Sequence, residues 1–97
     1  MKSNNPNMPR INIKDFQAIP NVGKVTAKEF LRLGLNKPMD LVGQNPYQLF
    51  DELCVLSQQQ LDPCLLDVFI SAVNFMEGGA PRKWWEFTQE RKSKWNR

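Results

Sequence analysis

The chain of 97 residues contains no histidine, which removes the commonest general base of enzymes and the commonest metal ligand. Its only cysteines are Cys54 and Cys64; they are too few for a four-ligand zinc site and too far apart for a CxxC redox pair. We interpret them as small buried apolar residues in a reducing compartment, with a disulfide or a reactive thiol as the alternatives. No serine has a histidine to activate it. These absences predict a protein that is not an enzyme and uses no metal or cofactor.

Long apolar runs are also missing. No stretch approaches the ~20 apolar residues that a bilayer-spanning helix needs, and the first ten residues (MKSNNPNMPR) lack the apolar core of a secretory signal. We therefore expect a cytoplasmic protein without a membrane partner. The length fits one domain, which we place at residues 11–90, between a disordered tail at 1–10 and a frayed basic tail at 91–97.

Charge is distributed unevenly along the chain. Residues 38–80 contain no lysine or arginine and carry six acidic side chains. The flanking segments have the opposite sign, with seven basic against two acidic residues in 1–37 and six against two in 81–97. Segregation of this kind indicates a charged partner. The alternative is that the blocks are solvated faces that attract each other within the domain.

No segment alternates as a β-strand does, and the helical signals predict an all-α fold of five or six short helices. A first helix is expected after a cap at Asn12, with Phe16 buried and an end at Pro20. A second helix is expected at 24–33 and a short helical turn at 38–42. The apolar face predicted for the second helix consists of Val25, Phe30 and Leu31.

Two longer helices follow. Asn45 and Asp62 are each followed by a proline, which is typical of a capped helix start, and the polar residues 57–61 connect the two helices. Almost every position from 65 to 76 is apolar. Because a helix that is apolar nearly all round is packed on several sides, we expect this one at the centre of the fold.

The last predicted helix runs from residue 82 to about 94 and is rich in tryptophan. Three aromatic residues fall on one side of it and are expected to face the core: Trp84, Phe87 and Trp95. Trp85 lies about 100° round the helix from Trp84. It is therefore the tryptophan that we expect to be exposed and available for stacking or for a partner.

The segment from Ile19 to Lys28 (IPNVGKVTAK) combines a helix stop, a turn of three or four residues and an immediate helix start. The first amides of such a helix are unpaired and point outward. Gly23 has no side chain to cover them, and the partial positive charge of the helix N-terminus favours an anion. A line of basic residues follows on the same helix: Lys24, Lys28 and Arg32. The alternatives are a tight turn without a ligand and a solvated basic face.

At these residues the sequence resembles the helix-hairpin-helix motif, whose usual form is apolar-Pro-Gly-apolar-Gly-basic-x-Thr-Ala. Asn21 stands where the motif usually has its first glycine, and asparagine is the next best residue for a left-handed backbone. The wider pattern LxLGLxxxxDLxGxxPxxLxxxLC, then DPCxLxVFxxAVxF and KWWxF, extends the likeness over residues 11–88. It resembles the small bacterial pathogenicity-locus or mitomycin-resistance type of helix-hairpin-helix protein.

The resemblance implies a paired fold, with an intact hairpin unit at 12–33, a degenerate unit at 46–76 and the tryptophan-rich helix behind them. It also implies a role linked to DNA, such as damage or repair. Together with the residues, it predicts weak, sequence-independent binding of duplex DNA through phosphates, held by amides near Gly23. The predicted DNA-binding residues are Asn21, Val22, Gly23, Lys24, Lys28 and Arg32. The alternative is a protein-interaction module, monomeric or weakly dimeric, in which the acidic middle block and Trp85 face a protein partner such as a second copy.

Overall fold

The computed structural model describes residues 8–95, and within them the protein is entirely helical, without a strand. The predicted all-α class is confirmed, with four α-helices and three 3-10 turns in place of five or six helices. The α-helices are α1 (Lys24–Arg32), α2 (Pro46–Ser57), α3 (Pro63–Met76) and α4 (Thr88–Lys94). The 3-10 turns are Phe16–Ala18, Pro38–Leu41 and Trp84–Phe87.

The two predicted cap-plus-proline starts are confirmed. The Asn45 side chain accepts hydrogen bonds from the amides of Tyr47 (2.9 Å) and Gln48 (3.3 Å), and the Asp62 carboxylate accepts one from the amide of Cys64 (2.9 Å). These bonds satisfy donors that have no partner inside the helix. Both helix starts are therefore fixed by the two or three residues next to them.

The core is built around α3, as its apolar composition predicts. Nine of its fourteen residues are buried. Phe69, on α3, has its ring centroid 5.1 Å from that of Phe30 on α1 and 6.3 Å from that of Phe50 on α2. Phe16 adds a further ring 5.1 Å from Phe30. This cluster of aromatic rings joins the first 3-10 turn, α1 and α2 to the central helix.

The predicted apolar face of α1 is wrong at two of three positions. Phe30 is fully buried, but Val25 is 71% exposed and Leu31 is 54% exposed. Thr26 is buried instead. At about 100° per residue, Thr26 and Phe30 point in nearly the same direction from the helix axis. Val25 and Leu31 point about 100° or more away from it, on opposite sides. The packed stripe of α1 therefore follows Thr26 and Phe30, which leaves both aliphatic side chains in solvent.

The first predicted helix is only a 3-10 turn, and its cap is Asp15 rather than Asn12. The Asp15 carboxylate accepts a hydrogen bond from the amide of Gln17 at 2.9 Å. Ile19 ends the turn in an extended conformation with its side chain 1% exposed. The residue before a proline is driven out of the helical region, so Pro20 leaves room for only three helical residues after the cap.

Arg10, the last residue of the predicted N-terminal tail, contacts the folded part of the chain. The Arg10 guanidinium donates to the carbonyls of Phe75 and Gly79, both at 2.9 Å, and lies 4.2 Å from the centroid of the Phe75 ring. Arg10 is therefore docked on the end of α3 and does not belong to the predicted tail. Residues 1–7, which carry the rest of that prediction, lie outside the described part.

Part of the predicted C-terminal tail is helical and packed on the core. Helix α4 continues to Lys94, and the Trp95 ring meets the Phe50 ring edge-on with centroids 5.4 Å apart. Arg91, predicted to be in a frayed tail, is fixed by an ion pair with Asp67. Residues 96 and 97, the end of that predicted tail, fall outside the described residues.

The cysteines differ from the expectation that both are buried. Cys54 is half-buried, whereas Cys64, in the first turn of α3, is exposed. Both are free thiols. Desolvation, followed by the hydrogen bond and negative charge of Asp62, raises the pKa of the Cys64 thiol. The thiol is therefore less ionised than an ordinary cysteine, which is the opposite of what a reactive nucleophile requires.

Two absences hold within residues 8–95. None of the helices is long and apolar enough to cross a membrane. No three histidine, cysteine or carboxylate side chains of that region are grouped as they would be to hold a metal ion.

Candidate nucleic-acid interface

The hairpin turn, residues 19–23, connects the first 3-10 turn to α1. Asn21 has φ 73°, in the left-handed region, so it adopts the conformation expected where the motif has glycine. The Val22 amide donates to the Ile19 carbonyl at 3.1 Å and closes the turn. Gly23 follows in an extended conformation (φ −100°, ψ −169°) as the N-cap of α1.

The Asn21 side chain points into the protein. Its Nδ2 donates to the hydroxyl of Ser71 on α3 (2.9 Å) and to the carbonyl of Arg82 (2.7 Å). Glycine could supply the backbone angle but neither hydrogen bond. Asn21 therefore fixes the hairpin turn to the centre of the fold and to the loop before Trp84, and it is not placed to contact a ligand through its side chain.

The N-terminus of α1 presents four amides in succession without a partner. Within the described residues, no acceptor is bonded to the amides of Gly23, Lys24, Val25 or Thr26, and Ala27 makes the first bond of the helix, to the Gly23 carbonyl at 3.0 Å. Unpaired amides of this kind form an anion-binding position. The predicted set of donors is corrected at one residue: the Val22 amide is used within the turn, and the Val22 side chain is buried.

Gly23 is glycine at a position where the fold does not require it. Its φ is negative, in a region open to every residue, and a Cβ built on it would meet no atom within 4 Å. The N-cap position itself is usually stabilised by a serine, asparagine or aspartate side chain. The missing side chain instead leaves the amides of α1 open to solvent, as close approach by a ligand needs.

The basic line on α1 divides into two free lysines and one engaged arginine. Lys24 and Lys28 are exposed, and neither lies within 4 Å of a carboxylate of residues 8–95. Arg32 pairs with Glu29 (3.0 Å) and also donates to the hydroxyl of Ser57 at 3.3 Å. Arg32 is therefore directed toward the end of α2 and away from the hairpin turn.

A further lysine joins the two on α1. Lys14 lines the same shallow depression as Lys24 and Lys28, between the first 3-10 turn and α1, together with Asp15. Lys14 is absent from the predicted binding residues because that prediction considered only the basic residues of one helix. The excess of basic residues in segment 1–37 is the sequence feature that points to Lys14 as well.

The acidic block of residues 38–80 is mostly structural. Asp40 accepts hydrogen bonds from the amides of residues 36 and 37, and Glu77 accepts one from the Gly43 amide at 2.8 Å. Asp62 caps α3. Asp67, fully buried, accepts from Arg91 (2.9 Å) and from the Thr88 hydroxyl (2.7 Å). Four of the six carboxylates therefore help to hold the fold together. The other two acidic residues of the block, Asp51 and Glu52, lie on α2.

One groove on the surface combines acidic and aliphatic side chains. It lies between the end of α1 and the outer face of α2. Its lining residues are Arg32, Leu33, Gln48, Asp51, Glu52, Val55 and Leu56. Val55 is 76% exposed and Leu56 is 52% exposed, so the groove presents apolar surface that the fold does not cover.

The chain is similar to known proteins along most of its length. The sequence profile of the family described as Pathogenicity locus matches residues 9–93. The mitomycin resistance protein McrB of Streptomyces lavendulae is 40% identical over 78 residues, which span 80% of this chain and 74% of that protein. No solved structure gives a significant match.

Proposed function

The chain belongs to the pathogenicity-locus family, and from that premise we propose that it is a helix-hairpin-helix domain that binds duplex DNA weakly, through phosphates and without sequence preference. A link to DNA damage or repair is part of the proposal; the relative is named a mitomycin resistance protein. Residues 9–93, the matched range, include the whole of the hairpin turn and α1.

The observation that carries the proposal is the open N-terminus of α1. Within the described residues, the amide of Gly23 and the three amides after it have no partner, and Gly23 itself has an empty Cβ position and backbone angles that any residue could adopt. A DNA phosphate placed there accepts hydrogen bonds from the amides of Gly23 and Lys24 and is favoured by the helix dipole. Lys24 and Lys28 add positive charge on the same side, and Lys14 extends it.

The same geometry explains why we expect the protein to bind DNA without sequence preference. The contacts offered are backbone amides and flexible ammonium groups, which suit phosphates. Helix α1 meets the ligand with its N-terminal end. Its one arginine, Arg32, lies at the opposite end and is paired with Glu29, and the helix has no asparagine or glutamine to read base edges. Equal affinity for duplexes of unrelated sequence is therefore expected.

The salt dependence of binding tests this function. If about three phosphates are neutralised, the logarithm of the affinity falls with the logarithm of the salt concentration with a slope near −2.7, at ~0.9 per phosphate. The dissociation constant at physiological salt is expected at roughly micromolar or weaker. Fluorescence anisotropy with a labelled duplex at four or five salt concentrations measures both quantities. An affinity that does not change with salt contradicts phosphate binding.

A second candidate function, self-association, is supported by the groove on α2. Its exposed aliphatic residues, Val55 and Leu56, lie beside Glu52, and the outer face of α1 carries exposed Val25 and Leu31 together with Lys24 and Lys28. The two faces are complementary in charge and in apolar surface. A second copy could therefore place α1 in the groove, in a contact that competes with DNA.

A charge exchange tests self-association. Glu52→Lys is expected to shift sedimentation equilibrium toward the monomer because it opposes lysine with lysine, and adding Lys28→Glu is expected to restore the association by reversing both partners. Glu52→Gln is the matched control for loss of the carboxylate alone. A parent chain that remains monomeric at millimolar concentration excludes this second function.

A further inference from the structure

Trp85 is a tryptophan that the fold leaves in solvent. It is 56% exposed, as the sequence predicts, whereas Trp84 and Trp95 are half-buried. The Trp84 ring meets it edge-on, with centroids 5.5 Å apart and planes at 86°, and the Lys83 ammonium lies 5.9 Å from the centroid of the Trp85 ring. An aromatic plane held by a neighbouring ring beside a cation is a surface suited to stacking.

The loop that carries Trp85 is bonded to the hairpin turn. The Asn21 side chain donates to the Arg82 carbonyl at 2.7 Å, and both residues line one depression with Pro20 and Lys83. Three residues of chain span at most about 11 Å. The backbone of Trp85 therefore lies within about 11 Å of that of Arg82, which touches the turn.

The charges around the depression favour a polyanion. Arg82 and Lys83 lie on its rim, and the one carboxylate there, that of Glu86, already accepts from the Lys83 amide (3.1 Å) and pairs with the Arg82 guanidinium (3.3 Å). Lys24 begins α1 directly after the turn. Two cations therefore line the depression beside the hairpin turn, and a third follows the turn at the start of α1.

We propose that Trp85 stacks on an unpaired nucleobase of a DNA strand whose phosphate is bound at the hairpin turn. This inference rests on the proposed function and names its substrate class: duplex DNA that contains unpaired or extruded bases. Bases in an intact duplex are stacked on their neighbours, so a side chain outside the grooves cannot reach their faces. Unpaired bases can turn outward and stack on an aromatic ring whatever their sequence.

The test compares two duplexes with equal numbers of phosphates, one fully paired and one with four mismatched base pairs at its centre. Anisotropy titrations use the full chain and the variants Trp85→Ala, Trp85→Phe, Ile11→Ala and Gly23→Asp. Ile11→Ala is the matched control, because it truncates another exposed apolar side chain, one that belongs neither to the hairpin turn nor to the groove on α2. Circular dichroism confirms that each variant is folded.

The parent chain is expected to bind the mismatched duplex about tenfold more tightly than the paired one, within the range that base–aromatic stacking supplies. Trp85→Ala is expected to lose that preference but keep its affinity for paired DNA within about twofold, since it removes no charge. Trp85→Phe retains a ring and is expected to keep part of the preference, and Ile11→Ala all of it.

Equal affinity of the parent for the two duplexes overturns the stacking site while the proposed function stands. A folded Gly23→Asp that binds paired DNA like the parent overturns the proposed function instead. If Trp85→Ala leaves the preference intact but changes the sedimentation of the protein, Trp85 is a protein contact and the inference is wrong.

Discussion

At the scale of single residues, the hairpin turn divides two tasks between Asn21 and Gly23. Asn21 supplies the left-handed backbone and uses its side chain to bond the turn to Ser71 and to Arg82, partners 50 and 61 residues away. Gly23 has ordinary backbone angles and an empty Cβ position. The asparagine is therefore needed by the fold, whereas the fold does not require glycine at position 23.

The ionisation of Tyr47 can be followed on its own because it is the one tyrosine of the chain. Its burial, and then the negative charge of Glu90 beside it, raise the pKa of the phenol from 10.0 to about 12; the hydroxyl lies 3.4 Å from the Glu90 carboxylate. At pH 11 the folded protein is expected to contain roughly a tenth of its Tyr47 as phenolate, and the denatured chain roughly nine tenths. Absorbance at 295 nm measures the phenolate.

The raised pKa also sets a stability window. Because the folded state holds the proton more tightly than the unfolded chain, this contribution to stability is fully present below pH 10 and is lost as the pH rises through about 12. Glu90→Gln is expected to lower the pKa of Tyr47 only in part, since burial is the larger cause. A folded protein whose phenol titrates at 10 contradicts the contact.

At the scale of elements, α4 is attached to α3 by a buried ion pair. The Asp67 carboxylate is fully buried and the Arg91 side chain is 14% exposed. Arg91→Met keeps much of the side-chain volume but leaves the carboxylate without its charge partner, and we expect a loss of about 3–5 kcal/mol in the free energy of unfolding. Urea denaturation measures the loss.

Lys94→Met is the control for that variant. It removes a cation of the same helix whose pairing with Glu90 is 4.0 Å long and largely exposed, so its effect is expected within about 0.5 kcal/mol of zero. Two variants of equal stability would show that Asp67 is satisfied without Arg91.

The contacts that fix each element decide whether its position could be predicted from the sequence. Asn45 and Asp62 bond to amides two or three residues away, so local sequence was enough to predict α2 and α3. Arg10 bonds to carbonyls 65 and 69 residues further along the chain, and it was predicted to be in a tail because its neighbours offer nothing to bury. The exposure of Val25 depends on which side of α1 meets Phe69, and that is decided by the packing of distant segments.

The candidate site follows the same division. The unpaired amides at Gly23 follow from a helix start directly after a turn, so the sequence predicted them. The loss of Val22 as a donor and the engagement of Arg32 with Glu29 and Ser57 are fixed by contacts that only the folded chain makes.

At the scale of the whole molecule, the three charge blocks of the sequence are only partly separate surfaces. Most carboxylates of residues 38–80 hold amides or Arg91, so the acidic block is mainly a part of the fold. The lysines at positions 14, 24 and 28 remain in solvent around the hairpin turn. These three lysines give positive charge to the surface at the start of α1, where the proposed phosphate would bind.

The most direct test of this account is the affinity of Gly23→Asp for duplex DNA, measured beside its thermal melting. The carboxylate is expected to occupy the phosphate position and to repel DNA, which abolishes binding. Because φ of Gly23 is negative and its Cβ position is empty, and because aspartate is a good N-cap, the melting temperature is expected to stay equal or rise slightly. Gly23→Ala adds a methyl group without charge and is expected to weaken binding less. A folded Gly23→Asp that binds DNA as the parent does would show that the hairpin is only a turn.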